Sequence, residues 1–365
     1  MFKLHVIQAQ FGDSLLLEYG NGSSKPKFIL IDGGPSRNYD DALRSELERI
    51  VGVGGTLEAL MVSHIDMDHI KGVLDLLTEL RSQKDNEEEP FLHVKELWLN
   101  SFSVLDPNNE IQPRMQEFFS LAGEQNMEGT EAGIAIQGVK EGDSVARNCA
   151  LLEIPLNPRG EDGFFMVGAP EADIHFSNLT FSIVGPTKEN LKSLKGDWDA
   201  WLKKNNKEIM DGTFDIQKMN DKSVPNLSSI MFLVKGSGRT ILFTGDGRGD
   251  HLIDGLNEKK LLKDGKFHVD VLKVPHHGSF HNTDASFYDV VTADSYVLSA
   301  NGKYDNPDYE TLEAIVLSAV NTERNISLIV TNETPSTKKL IKTYPPEENN
   351  YTITYIEEGA FSIEV

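Results

Sequence analysis

The chain has 365 residues, 39% hydrophobic and 25% charged, a globular balance with length enough for one large core or two medium ones. Its 57 acidic and 35 basic side chains leave a net charge of −22, which argues against a broad surface tracking nucleic-acid phosphates but not against a nucleotide or strand end held through metal ions. No apolar run reaches the roughly 18 to 20 residues that cross a bilayer, the N-terminus reads as a strand and not a signal peptide, and Cys149 is the only cysteine, so a cytoplasmic protein without intrachain disulfides is expected.

The opening residues predict three strands, over 4–9, 14–19 and 28–31, with a turn at Asn21-Gly22-Ser23-Ser24 between the second and third. A helix follows over 40–51, where Leu43, Leu47 and Ile50 share one side. A strand over 57–62 then runs into Ser63-His64-Ile65-Asp66-Met67-Asp68-His69, where two imidazoles and two carboxylates stand close together. Imidazole and carboxylate together make a ligand set for Zn, Mn or Fe without any thiolate. A loop leaving the strand turns His64 and Asp66 to one side. Asp68 and His69, at the start of the next helix, can serve a second metal close by, and the Asp68 carboxylate also suits the helix dipole. That helix carries Val73, Leu76, Leu77 and Leu80 on its apolar side. The polar, acidic stretch 81–90 reads as a linker loop, and 94–99 as a strand.

Between 100 and 225 the pattern weakens. A helix is predicted over 115–122, strands over 151–154 and 179–184, and a charged helix over 188–209 carrying Trp198 and Trp201. This region reads as part core and part insertion covering the site, where substrate choice would be set. The pattern then sharpens. Strands over 229–234 and 240–244 are joined by the hairpin signal Lys235-Gly236-Ser237-Gly238-Arg239, and a short helix falls near 250–256. A strand over 269–274 ends at Pro275-His276-His277-Gly278-Ser279. Helix 284–291, strand 295–299, helix 309–320, strand 326–330 and strands 351–356 and 361–365 complete the chain. Strand pairs followed by alternating strands and helices predict an α+β fold in which helices cover two stacked sheets.

Several of these pieces, in this order, resemble the metallo-β-lactamase superfamily. His64-Ile65-Asp66-Met67-Asp68-His69 is similar to its His-x-His-x-Asp-His motif with Asp66 in place of the second His, a variant that looks like the nuclease-like branch of ComEC-type DNA-uptake proteins. Gln10-Phe11-Gly12-Asp13-Ser14 and Asp32-Gly33-Gly34 resemble turns that lie under the metal site in that superfamily. Phe243-Thr244-Gly245-Asp246-Gly247 matches the position of its metal-bridging Asp. In Leu272-Lys273-Val274-Pro275-His276-His277, His276 is the better match to its last metal ligand, with His277 in support or on the substrate. Ser299 to Pro307 is similar to a segment ending Tyr-Gly-His-Pro, with Asn306 in place of that His; an amide holds a phosphate or water but does not shuttle protons. No His stands near 225–229, where the superfamily carries its third one; Asn226 is the nearest oxygen donor.

The resemblance covers about residues 1–80 and 225–310. It implies an αββα four-layer sandwich, one domain over 1–365 with an insertion at about 100–225 and an extension at about 331–365. It also implies two divalent ions, Zn or Mn: one held by His64, Asp66 and Asp246 with water, the other by Asp68, His69, Asp246 and His276. The activity implied is that of a metal-dependent hydrolase, phosphodiesterase or nuclease-like, in which hydroxide activated by the metals attacks, with Asp68 and Asp246 as the catalytic carboxylates. Lys273, His277, Ser279 and Asn306 are the candidate substrate contacts. Ester, thioester or lactam hydrolysis stays open, as does a non-catalytic metal- or nucleotide-binding sensor. The acidic charge favours a small or terminal phosphodiester over a long duplex. No membrane partner is implied. His5, His93, His175, His251, His268 and His281 read as structural or surface residues.

Overall fold

A computed structural model describes residues 1–22, 25–100, 131–161, 163–168, 173–192, 228–356 and 358–365. The helix expected over 115–122, Trp198, Trp201 and Asn226 lie outside the described residues. In chain order the first half comprises β1 (Phe2–Ile7), β2 (Leu15–Tyr19), β3 (Lys27–Ile31), α1 (Arg44–Ile50), β4 (Gly55–Val62), α2 (Met67–Asp85), β5 (Leu92–Val94), β6 (Leu97–Leu99) and α3 (Glu131–Leu152). There follow β7 (Ile174–Phe176), β8 (Leu179–Gly185), β9 (Met231–Gly236), β10 (Arg239–Phe243), α4 (Gly249–Glu258), β11 (Phe267–Lys273), α5 (Phe287–Val290), β12 (Val291–Leu298), α6 (Tyr309–Asn321), β13 (Ile326–Val330), α7 (Pro335–Thr343), β14 (Tyr351–Tyr355) and β15 (Ala360–Glu364).

Among the described residues the strands form two mixed sheets. The first runs β15-β1-β2-β3-β4-β5, with β6 also paired to β4, and the second runs β14-β13-β12-β11-β10-β9-β8-β7. Continuous apolar runs such as Leu15-Leu16-Leu17 and Phe28-Ile29-Leu30-Ile31 mark strands covered on both faces. Their alternation decides which core each side chain enters. Leu15, Leu17, Ile29 and Ile31 join Phe232, Val234, Ile241 and Phe243 in the core between the sheets, where Phe232 stacks on Phe181 and Phe243. Leu16, Phe28 and Leu30 face the other way, onto Leu47 of α1, Ile70, Val73 and Leu77 of α2 and Val145 of α3. On the far side Leu233, Leu242 and Leu272 meet Leu252 of α4, Tyr288 of α5, Ile315 of α6 and Leu340 of α7. The layers are therefore helix, sheet, sheet, helix, in the α+β class. The last strands divide between the sheets: β14 pairs with β13, and β15 pairs with β1. No described helix is long and apolar enough to cross a membrane.

Four local expectations need correction. Helix α2 runs on to Asp85 through the stretch expected to be a loop, because its Arg81, Lys84 and Asp85 form a solvated helix face, with Arg81 and Asp85 paired at 3.6 Å. Leu151 and Leu152 are the last turn of α3 and not a strand; a short apolar run does not distinguish the two. The strand expected over 94–99 is two, interrupted at Lys95 and Glu96. Helix α7 was not anticipated, although Thr334 and Thr337 form a reciprocal capping box around Pro335. Cys149 is buried against the α2 side of the first sheet, where burial pushes its thiol up to about 12.

Candidate metal centre

Both sheets deliver side chains to one end of the sandwich. β4 ends at Val62, and the next residue is anchored at once: Ser63 donates to Asp32 from its N–H (2.7 Å) and from its hydroxyl (2.7 Å). Asp66 is the N-cap of α2, but its side chain makes no capping bond, which leaves the carboxylate to face the site. Asp68 and His69 follow in the first helical turn. Asp32 reaches beneath this turn because the chain after β3 packs directly on α2. A Cβ on Gly72 would lie 2.0 Å from the Gly33 carbonyl oxygen, so only glycine permits the approach. The Gly33 N–H then donates to the His69 carbonyl at 2.8 Å.

From the second sheet, β10 leads through Gly245 to Asp246, and β11 leads through Pro275 to the paired histidines. His276, His277 and Gly278 all have positive φ, 45°, 55° and 86°. Two successive non-glycine residues in this region cost about 1–3 kcal/mol each. Their compensation is visible: the His276 N–H donates to the Gly245 carbonyl (3.1 Å), and the turn aims two adjacent imidazoles at one carboxylate.

That carboxylate, Asp246, divides the centre. Its Oδ1 lies 3.2 Å from His69 Nε2 and 3.5 Å from His277 Nε2. Its Oδ2 lies 3.6 Å from both His64 Nε2 and His276 Nε2. Asp68 Oδ2 joins the first half at 3.2 Å from His277 Nε2, and Asp66 Oδ2 the second at 3.4 Å from His64 Nε2. His69 and His277 bring their Nε2 atoms within 3.3 Å of each other.

The outer nitrogens fix the tautomers. His277 Nδ1 donates to the Ser299 carbonyl (2.9 Å), and His69 Nδ1 donates to Asp32 Oδ2 (2.9 Å). The Ser63 hydroxyl spends its proton on Asp32, so it accepts from His64 Nδ1 (3.1 Å). The Asn282 amide donates to the Asp246 carbonyl (3.2 Å), which turns its Oδ1 to accept from His276 Nδ1 (2.7 Å). All four imidazoles thus present Nε2 inward, toward carboxylates that are acceptors too.

With its rings neutral this interior is all acceptors, and it is stable only with a cation, or with protons on the Nε2 atoms, between them. His64 Nε2, Asp66 Oδ1 and Asp246 Oδ1 are buried and have no hydrogen-bond donor; Asp246 Oδ1 is near His69 but out of line with it. Such orphaned groups are rare in folded proteins, and a bound ion is one accepted reason for them. The mixed nitrogen and oxygen donor set, with oriented outer nitrogens, fits a divalent metal. Asp13 is also within reach, but it faces the Nδ1 edges of His277 (3.7 Å) and His69 (3.8 Å), and its Oδ2 pairs with Lys273 Nζ at 2.8 Å. It supports the imidazoles from behind.

The electrostatics follow from this crowding. Burial works to lower the His277 pKa, but the negative charges of Asp246 and Asp13, with Asp68 also close, outweigh it and push it up to about 10. Burial opposes the charge on His69 as well, and Asp246, Asp32 and Asp68 raise it well above the usual range. Burial would raise Asp246; the four histidines overcome it and hold the carboxyl well below its ordinary range. Burial is likewise overcome at Asp68, by His69 and His277, and at Asp13, by Lys273 first and then His277.

The structure brings His64, Asp66, Asp68, His69, Asp246 and His276 together. It also puts His277, expected in support or on the substrate, among the inward nitrogens, on the opposite oxygen of Asp246 from His276. Lys273, expected at the substrate, is 1% exposed, and its ammonium is committed to Asp13 and the Val274 carbonyl. Ser279 and Asn306 are buried in the turns beside the centre, the Ser279 N–H donating to the His276 carbonyl at 2.8 Å. His5 is structural, bonded with Glu18 and Ser362. The turns carrying Asp13 and Asp32 lie under the centre, where the resemblance put them, whereas Ser63, Asn282 and the Ser299 carbonyl were not anticipated as supports. No family model matches the chain, and no curated protein matches it.

Proposed function

We propose that the chain is a metal-dependent hydrolase with a metallo-β-lactamase-like fold and a binuclear centre, and that it cleaves phosphodiesters. The observation that carries this reading is the convergence of four imidazole Nε2 atoms and the carboxylates of Asp66, Asp68 and Asp246, with every outer imidazole nitrogen tied down. Two divalent ions, Zn or Mn, would be held by His64, Asp66, His276 and Asp246, and by Asp68, His69, His277 and Asp246. When bound they supply Lewis acidity and an activated water.

The residues of the chain divide the remaining work. The side chains of His64, His69 and Asp246 are 0–2% exposed, whereas those of His276, Asp68 and Asp66 are 30%, 21% and 18% exposed, so substrate enters past the latter three. Asp68, ionised at neutral pH, accepts the proton released by the attacking water. Asp246 holds both halves in register. The layer order supports the fold assignment, and the Asp-bearing motif at 64–69 supports phosphodiesters over other bonds.

The test is turnover of bis(4-nitrophenyl) phosphate by the purified protein with added Mn or Zn, beside Asp68→Ala. Metal-dependent turnover that drops about a hundredfold or more in the variant, the scale of a lost general base, supports the reading. Bound metal with no turnover sinks the phosphodiesterase reading and leaves ester, thioester or lactam hydrolysis, or a binding module.

A further inference from the structure

A second set of side chains stands at the Asp68–His277 edge of the centre. The loop between β12 and α6 begins at Ser299, whose carbonyl accepts from His277. It then closes on itself: the Gly302 N–H donates to the Asn306 carbonyl (3.0 Å), the Asn306 N–H to the Lys303 carbonyl (3.2 Å), and the Lys303 N–H to Asn301 Oδ1 (3.1 Å). Gly302, Tyr304 and Asp305 have positive φ, 88°, 57° and 65°. An aromatic residue in this region is costly, yet the result is a tyrosine 67% exposed to solvent.

Lys303 stands between two rings, with Nζ 3.4 Å from the centroid of Phe11 and 4.9 Å from that of Tyr304. Phe11 arrives from the loop between β1 and β2, which is pressed against the metal-binding turn. A Cβ on Gly12 would lie 2.0 Å from the Asp68 carbonyl oxygen, and the Asp13 N–H donates to that same oxygen at 3.2 Å. The cluster is therefore one or two residues of chain from Asp68 on one side and a short loop from His277 on the other. Among the described residues no carboxylate forms an ion pair with Lys303, whereas Lys71, Lys273 and Arg248 are each paired. On a protein of net charge −22, a cation left available beside the open edge of the centre favours an anionic substrate.

We infer that Phe11, Lys303 and Tyr304 form a substrate subsite, in which Lys303 holds an anionic phosphate oxygen and Tyr304 stacks an aromatic base on the non-leaving side of the diester. This deepens the phosphodiesterase reading and rests on it. The preferred substrate class is a nucleotide diester.

Two esters with the same leaving group separate the subsite from the chemistry: thymidine 5′-(4-nitrophenyl phosphate) and methyl 4-nitrophenyl phosphate, each with Mn-loaded protein. The wild type has the lower KM for the thymidine ester. Tyr304→Ala raises that KM about tenfold more than it raises the KM for the methyl ester, within what a base–aromatic stack contributes, and Tyr304→Phe restores it. Equal effects of Tyr304→Ala on the two esters overturn the subsite while leaving the hydrolase intact. If neither ester is turned over, the phosphodiesterase reading is overturned, and titration calorimetry with thymidine 3′,5′-bisphosphate then decides the subsite. Binding about tenfold weaker in Tyr304→Ala supports it; no binding, or equal binding by both proteins, overturns it.

Discussion

The two halves of the centre differ in how they are supported. The Asp68–His69–His277 half sits over a built base: Asp32 orients His69, the Ser299 carbonyl orients His277, and the buried Asp13–Lys273 pair lies behind both rings. The His64–Asp66–His276 half has a lighter frame, with Ser63 behind His64 and the side chain of Asn282 behind the more exposed His276. Outer hydrogen bonds hold ligand rings in place before a metal arrives, and their loss typically costs 10–100-fold in affinity. If the centre is binuclear, as proposed, the comparison predicts a tight site and a loose one, joined by Asp246.

The largest expected effect breaks both sites together. Asp246→Ala removes the one group present in each half, so metal retained through gel filtration, measured by plasma mass spectrometry, falls to background. The histidines of the turn then separate the halves. His277→Ala weakens the tighter of two phases in a chelator competition titration, and His276→Ala weakens only the looser one. Identical titrations for the two variants would dissolve the distinction between the halves.

Next comes the base of the tight site. Lys273→Met leaves the Asp13 carboxylate buried without its partner. Breaking one side of a buried pair costs about 3–5 kcal/mol, read as a lower urea midpoint, and the tight metal phase weakens with it. Asp13→Asn combined with Lys273→Met loses less than Lys273→Met alone. A single variant as stable as the wild type would show that the pair contributes no support.

The ligand residues were legible in the sequence because they cluster. Four of them fall between 64 and 69, and the others follow strand ends that read clearly as apolar runs. Of the supports, only the turns carrying Asp13 and Asp32 were marked, through the resemblance, and their partners were not. Asp13 and Lys273 meet only because β1 and β11 belong to different sheets whose ends converge, a tertiary fact that no local spacing carries. The order of His276 and His277 was equally hidden. Both rings reach Asp246, and which oxygen each faces depends on two successive left-handed histidines, a conformation that local propensity disfavours. The sheets were readable from alternation and from apolar runs covered on both faces. Helix α7 was missed because only its cap, and no long apolar stripe, announces it.

The smallest effect is on pH dependence, and it sharpens the tight half. In the metal-free chain His277 titrates at about 10, above its ordinary value of 6.5, because Asp246 and Asp13 outweigh its burial. A group whose folded pKa is raised contributes stability that is fully present below the unfolded value and is lost as pH rises through the folded one. The melting temperature of the metal-free protein therefore declines between about 6.5 and about 10, with His69 shifted in the same direction. Metal binding runs the other way. The ion displaces the proton from Nε2, so affinity increases across the same window as the competing proton leaves, and binding below it releases protons into the buffer. Calorimetry in buffers of different ionisation enthalpy counts that release. In His277→Ala the count falls by up to one proton for each tight metal bound; an unchanged count would remove His277 from the tight site and return it to the supporting role its sequence position first indicated.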